Sequence, residues 1–260
     1  ITRSSGGSAA NTSVWLAHQG IGVDFVGRVG EADTQRFLEE FEGAGVQAHL
    51  SADSDNSTGT IVIVVEAESR TMLTDRGANT QLDFGGIDPA LLDDSSWVHL
   101  TGYSMFHHSS PQSIPQFIAL ARSRGTNVMV DASSSGFLVD FGVERFLEAI
   151  RDVSLVRCNE DEALTLSGRE SIAESVEFLG QLFPTAVVTQ GAQGVWRADG
   201  GSVAHIPLAE SVKSVDPTGA GDSFNAGLLA GLVQGDSLEN AIHRGIAVAS
   251  LCITKAGARP

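Results

Sequence analysis

Cysteine is nearly absent from this 260-residue chain, which contains only Cys158 and Cys252. Two thiols cannot build a disulfide framework, and they fit a reducing compartment, the cytoplasm. Basic residues are scarce too: 16 Lys and Arg stand against 32 Asp and Glu, a formal net charge of −16 at pH 7. So acidic a surface excludes nucleic acid and anionic membranes as partners, since both select basic patches. A polyanionic ligand would have to be met by local donors or by a metal. No long uninterrupted apolar run occurs, so no membrane-spanning helix is expected, and no secretory leader is visible. No Gly-x-x-x-x-Gly-Lys-Ser/Thr run is present, so an ATP site here would not be a P-loop. No Gly-x-Gly-x-x-Gly follows a strand, which leaves a Rossmann dinucleotide site unsupported. Nor is there a Gly-x-Ser-x-Gly turn, and Ser133-Ser134-Ser135 reads as a loop. His107-His108 lack a third ligand and point apart, as in a solvated loop.

What is present describes one large α/β domain. Hydrophobic residues make up 42% of the chain and mean hydropathy is +0.06, enough for an ample core. Helices are expected at Ser13 to His18 and, closed by glycine, at Thr34 to Gly43, with a strand at Val23 to Val29 between them. Thr60 to Val65 and Arg70 to Thr74 read as a hairpin. From Trp97 onward, short apolar strands (Trp97 to Leu100, Asn127 to Val130, Ser154 to Val156, Ala186 to Thr189) alternate with helices (Ser113 to Arg124, Val143 to Ile150, Ile172 to Leu182). That alternation implies a mostly parallel sheet covered on both faces, a three-layer α/β/α fold. A hairpin at Val195 to Ile206 and helices at Gly219 to Val233 and Leu238 to Leu251 close the chain. Leu251 to Thr254 looks strand-like. A start at Ile1, directly before a glycine motif, suggests that residues precede it.

Ligands of such sheets sit at the carboxyl ends of the strands. The run Asp216-Pro217-Thr218-Gly219-Ala220-Gly221-Asp222-Ser223-Phe224 packs a turn, two glycines and a carboxylate against an apolar helix. Free N–H groups at a helix start suit a phosphate. A carboxylate beside them repels an anion, unless Asp222 takes a proton while phosphate charge develops. Phosphoryl transfer to a hydroxyl explains the run; so does a plain N-cap by Asp216 or Thr218, and the run alone leaves both open. Asn159 and Glu162 stand one helical turn apart. They read first as a helix N-terminus enriched in acids, and alternatively as oxygen ligands of a hydrated Mg²⁺. Thr189-Gln190-Gly191-Ala192-Gln193-Gly194 reads as a turn pair, or as a strip of backbone against which a nucleotide lies. Gly6-Gly7-Ser8-Ala9-Ala10-Asn11 leaves room for a polyhydroxylated ligand with Asn11 as donor and acceptor, or else Asn11 caps a helix.

These motifs, in this order, resemble the ribokinase-like (PfkB) sugar kinases. Asp216 to Leu229 matches the carboxyl-terminal signature, and Gly6-Gly7 through Asn11 and Ser13 to Gly20 and Gly30 the amino-terminal one. Asn159-x-x-Glu162, Thr189-x-Gly191-x-x-Gly194 and Gly77-Ala78-Asn79 fall between them. The resemblance implies that Asp222 is the base and that the N–H groups of Gly219, Ala220 and Gly221 form the anion hole, with the helix field keeping Asp222 ionised. It implies Asn159 and Glu162 on Mg²⁺ and the triphosphate of ATP, with Thr189, Gly191 and Gly194 at the nucleotide. It places Gly6, Gly7 and Asn11 at the sugar, and Asp216 and Thr218 at a monovalent cation, K⁺. Arg76 reads first as a surface arginine near Asp75, and alternatively as a group that approaches the sugar from the lid base and pairs with an acid. A β lid of about residues 57–76, completed by a missing N-terminal segment, would shield the sugar and join a homodimer. The expected activity is ATP-dependent phosphorylation of a small sugar, ribose-like or hexose. 2-Keto-3-deoxygluconate and nucleosides are alternatives, and a sensor without turnover is an alternative of another class. An acid that binds sugar hydroxyls in the relatives' first strand is not seen here, and Gln35 stands where they often carry glycine.

Overall fold

The computed structural model describes residues 4–66, 69–106, 109–209 and 212–260, and the side chains of these outside residues 65–72. His107 and His108 lie outside the described residues. The chain enters helix α1 (Ser8–His18), then strand β1 (Asp24–Gly30), helix α2 (Thr34–Gly43) and strand β2 (Gln47–Asp53). β1 and β2 pair in parallel. Strands β3 (Thr58–Glu66) and β4 (Ser69–Gly77) form the expected hairpin, a separate antiparallel pair.

The central sheet follows. β5 (Trp97–Thr101) is followed by α3 (Ser113–Ser123), and β6 (Asn127–Asp131) by α4 (Ser135–Phe141) and α5 (Val143–Ala149). β7 (Leu155–Asn159) is followed by α6 (Glu160–Ser167) and α7 (Ile172–Leu182), and β8 (Thr185–Thr189) by a hairpin of β9 (Val195–Asp199) and β10 (Ser202–Ile206). Helices α8 (Ala220–Val233) and α9 (Leu238–Cys252) close the chain. The sheet has six strands in the order β10-β9-β8-β7-β6-β5. β5 to β8 run parallel, and β9 and β10 antiparallel.

Period-two alternation in the buried strands builds the layers. Val128, Val130, Val156, Cys158, Ala186 and Val188 join the core shared with α3 to α7. Their neighbours Met129, Leu155 and Val187 face the opposite core, with α1, α8 and α9. Three layers result, as the alternating texture of the sequence implies.

The differences have local causes. α1 begins at Ser8, not Ser13, because the small residues Ser8-Ala9-Ala10 pack into the helix and Gly7, at φ 99°, is its N-cap. Asn11 is therefore inside the helix, not before it. Leu251 and Cys252 complete α9 rather than starting a strand: Cys252 is buried on the face that meets α8. β2 carries no apolar run and is visible only through its pairing with β1.

His99, on β5 opposite Met129, carries a pH-dependent part of the stability. Among the described residues neither ring nitrogen has a well-placed hydrogen-bond partner, and burial pushes its pKa down from 6.5 to about 4. Below pH 6.5 the unfolded chain takes up a proton that the folded chain refuses until about pH 4. The contribution is therefore complete above the unfolded value and lost as pH falls through the folded one, a loss of about 3 kcal/mol. His99→Leu is expected to flatten the pH dependence of unfolding across that window. Urea titrations at its two ends check this, and an unchanged slope would mean that the folded protein protonates His99 freely.

Candidate active site

Asp131, Asn159 and Thr189 end β6, β7 and β8 at neighbouring register positions, so the loops beyond them share the carboxyl edge of the sheet. Onto this edge comes the first turn of α8. Thr218 donates to Asp216 Oδ1 from its N–H (3.0 Å) and its hydroxyl (2.7 Å), and the Gly257 N–H donates to Asp216 Oδ2 (3.1 Å). This turn delivers the chain to Gly219, the N-cap of α8, at φ 82°. A left-handed φ of that size favours glycine, and a Cβ there would lie 2.7 Å from Ala258 Cβ.

Asp222 sits in the first turn of α8. Ser8 Oγ donates to its Oδ1 (2.6 Å) and Asn11 Nδ2 to its Oδ2 (2.8 Å), so α1 holds both carboxylate oxygens. Asn11 Oδ1 in turn accepts from Arg259 Nε (3.1 Å), and Arg259 also pairs with Glu40. Burial raises the Asp222 pKa from its ordinary value, against the two hydrogen bonds and Arg157, which lower it. Desolvation thus opposes the helix field expected to keep Asp222 ionised.

Below the turn lies a buried polar network. Arg157 donates to Asp131 Oδ2 (3.0 Å) and Thr189 Oγ1 (2.9 Å), and Asn225 Nδ2 also donates to Asp131 Oδ2. Ser133, at φ 71° the one non-glycine residue with positive φ among those described, is held by Asp131 Oδ1 on its N–H (2.8 Å). The Tyr103 hydroxyl donates to Ser133 O (3.0 Å). Burial pushes the Tyr103 pKa up to about 12, with Glu162, Asp131 and Asp222 adding to the rise. Asp131 and Arg157 likewise act on both Asp222 and Glu162, so these groups form one electrostatic cluster.

Asn159 and Glu162 form a capping box on α6. Asn159 Oδ1 accepts from the Glu162 N–H (2.9 Å), and the two Glu162 oxygens accept from Asn159 N and Nδ2 (2.9 Å each). The helix-start reading of this pair holds locally. Glu162 is only 2% exposed, and burial, followed by Asp131, raises its pKa to about 7. Gly191 begins a short 3₁₀ turn that ends at Gln193, and Gly194 leads into β9. Gln190 reaches Glu160 (2.8 Å) and accepts from Trp196 Nε1 (3.1 Å), fixing that loop to α6.

Arg76 is neither paired with Asp75 nor splayed on the surface. Its guanidinium lies 4.4 Å above the Phe137 ring, and burial lowers its pKa. With Asn56, Thr74, Asp75, Gly77 and Thr80 it lines a cavity of about 410 Å³ at the hairpin base. Phe137 packs edge-on against Tyr103, which links this cavity to the acidic cluster. Gly6 and Gly7 lead into α1 beside Asn11, and the Gly7 carbonyl accepts from the Asn11 N–H.

Ser8, Tyr103, Asp131, Arg157 and Asn225 were not foreseen as site residues. Arg157 did leave a signal, a charge in the middle of the apolar strand Leu155-Val156-Arg157-Cys158.

A carboxylate beside a helix N-terminus at the strand ends of a three-layer sheet is an arrangement suited to phosphoryl transfer. The family description pfkB family carbohydrate kinase matches residues 1–260. The fructokinase of Klebsiella pneumoniae is 29% identical over 263 residues, 95% of this chain and 83% of that protein. The adenosine kinase from Sinorhizobium meliloti superposes with a TM-score of 0.92 at 27% identity, covering 100% of this chain and 80% of that one. A putative ribokinase II from E. coli, in complex with ATP and Mg²⁺, shares the fold with a TM-score of 0.85 at 20% identity. The chain belongs to the pfkB family of carbohydrate kinases and is a phosphotransferase with an alcohol group as acceptor.

That family implies ATP and Mg²⁺, and the residues present fit both. Gly219 and Gly221 carry no side chain where the first N–H groups of α8 lack intrahelical acceptors, although the Ala220 N–H donates to Pro217 O (3.2 Å) and would have to be shared with an anion. Among the described residues no three His, Cys, Asp or Glu side chains converge as a cage. Mg²⁺ needs none, since it keeps waters and uses one or two carboxylates plus phosphates. With both oxygens engaged by Asn159, Glu162 suits contact through water. No helix among the described residues is long and apolar enough to cross a membrane.

Proposed function

We propose that this protein transfers the γ-phosphate of ATP to a hydroxyl of a small neutral sugar, ribose-like or hexose, with Asp222 as the base. The observation that carries this reading is Asp222 itself, a carboxylate aimed by Ser8 and Asn11 beside the N–H groups that suit an anion. A pKa raised by burial makes it a stronger base than a surface aspartate. Asp222 takes the hydroxyl proton, and the N–H groups of Gly219, Ala220 and Gly221 stabilise the charge that develops on the transferring group. Gly6, Gly7 and Asn11 border the sugar. Thr189, Gly191 and Gly194 border the nucleotide. Asn159 and Glu162 would hold Mg²⁺ through water, and bound Mg²⁺ supplies charge neutralisation for the triphosphate. A K⁺ ion beside Asp216 and Thr218 belongs to the same reading.

The β3–β4 hairpin acts in this reading as the lid of a single domain spanning residues 1–260, excluding water that would compete with the sugar. Its exposed Ile61, Val62, Ile63, Val64 and Leu73 (51, 53, 46, 41 and 60%) form an apolar surface suited to a second copy of the chain. A cytoplasmic location accords with ATP as donor.

One observation supports a second reading. Among the described residues no carboxylate pairs with Arg76, so a sugar acid such as 2-keto-3-deoxygluconate would complete its charge. ADP release from Mg·ATP over pentoses, hexoses, keto-deoxy acids and nucleosides separates these classes. Turnover confined to neutral sugars supports the first reading, and turnover confined to acids or to nucleosides replaces it.

Glu162→Gln tests the metal role. Glutamine at the third helical position can preserve the capping box, so the fold should survive. The Mg²⁺ concentration for half-maximal rate should rise roughly tenfold, following the usual sensitivity of metal sites to the groups around the ion. An unaltered Mg²⁺ titration would leave Glu162 as a helix cap alone.

A further inference from the structure

Arg157 has no role in the chemistry described above, yet it is 6% exposed in the centre of the sheet. Its surroundings make it more than a filler of the core. A Cβ on Gly221 would lie 3.2 Å from Nη1 and 3.4 Å from Nη2, so the first turn of α8 rests directly on the guanidinium. The same nitrogens donate to Asp131 and Thr189, at the ends of the two flanking strands. Asn225, one turn further along α8 than Asp222, fastens Asp131 from above. The Phe224 ring lies 5.6 Å from the guanidinium carbon, and among the described residues Nε has no partner.

We propose that Arg157 is a positioning residue of the transfer site: beneath Gly221 it fixes the first turn of α8 and sets a permanent positive charge under the phosphate-binding N–H groups, with Asp131 and Asn225 as its brace. The proposal rests on the reading of Asp222 as base. A guanidinium keeps its charge when buried, and its field is strong in a poorly solvated interior. Asp131, Glu162 and Asp222 already place three carboxylates in this cluster, and a triphosphate adds more negative charge. Without Arg157 the turn would face that charge with helix N–H groups alone.

The groups facing Asp222 are Ser8 and Asn11 on α1, Tyr103 after β5, Asp131 on β6, Arg157 on β7 and Cys252 on α9. Of these, Arg157 favours the ionised carboxylate and Asp131 disfavours it. Two substitutions should therefore move the acid limb of kcat/KM in opposite directions. In Arg157→Met the limb moves to higher pH by roughly half a unit or more. The same variant loses kcat by roughly tenfold or more, with sugar KM little changed. In Asp131→Asn the limb moves to lower pH. Should either single variant fail to fold, Arg157→Met/Asp131→Asn removes both charges together. Its acid limb should lie near that of the wild type, while kcat stays low.

Shifts of the same sign, or a wild-type limb in Arg157→Met, would overturn the proposal. So would wild-type kcat in the double variant. Failure of the underlying reading is separately visible, because Asp222→Asn would then turn over at the wild-type rate whatever the Arg157 variants do.

Discussion

Asp222→Asn should lower kcat by about 10²- to 10⁴-fold, the usual worth of a positioned general base, while ATP and sugar still bind. Asparagine has the same shape and its amide oxygen can still accept the 2.6 Å bond from Ser8, which keeps α1 against α8, while its amide nitrogen faces Asn11 Nδ2 and that second bond is lost. What disappears is the proton acceptor. Removing the charge also relieves the burial cost that raises the pKa of Asp222, which offsets the lost bond from Asn11. Calorimetry for binding and steady-state ADP release for kcat separate the two effects. Loss of binding together with turnover would mark Asp222 as a structural anchor.

The second large effect belongs to Gly219→Ala. Alanine at φ 82° costs about 1–2 kcal/mol in backbone strain, and the added methyl meets Ala258 at 2.7 Å. Ala258 cannot simply retreat: Trp15 Nε1 donates to its carbonyl (2.9 Å) and the neighbouring Gly257 N–H is held by Asp216 (3.1 Å). The turn must move instead, carrying the N–H groups of Ala220 and Gly221 with it. A displacement of about 1 Å is enough to cost roughly 100-fold in rate. Gly168→Ala is the control, because its φ is also positive at 63° but among the described residues nothing lies within 4 Å of the new methyl. A smaller loss of turnover is expected there, and equal losses would show that strain alone, not the contact with Ala258, governs the turn.

Legibility in the sequence followed the range of the interactions involved. α2 and α7 lie where their residues place them, because an apolar face repeats within each and a helix boundary is written locally: glycine ends α2, and Ser171 caps α7 on the Glu174 N–H. β5, β6 and β8 are short apolar runs bounded by polar residues, and each extends only one residue beyond its run. The motif after Val215 is also local, as is the capping box of Asn159 and Glu162. The start of α1 was misplaced because Gly6-Gly7 and the small residues after it look like a loop until α8 packs on them. The brace of Arg157 was invisible for a different reason. Asp131 and Asn225 are 94 positions apart, and no local pattern announces that a carboxylate, a guanidinium and an amide from three elements meet beneath one glycine. The rise in the Asp222 pKa leaves no local trace for the same reason, since desolvation is a property of the assembled layers.

The central claim is that Asp222 directs phosphate from ATP to a sugar hydroxyl. Phosphorus NMR on Mg·ATP with an accepted sugar, comparing wild type and Asp222→Asn, tests it most directly. The account predicts equal amounts of ADP and sugar phosphate from the wild type, and neither at a comparable rate from the variant. Inorganic phosphate in place of sugar phosphate from the wild type, or sugar phosphate formed as fast by Asp222→Asn, would contradict it.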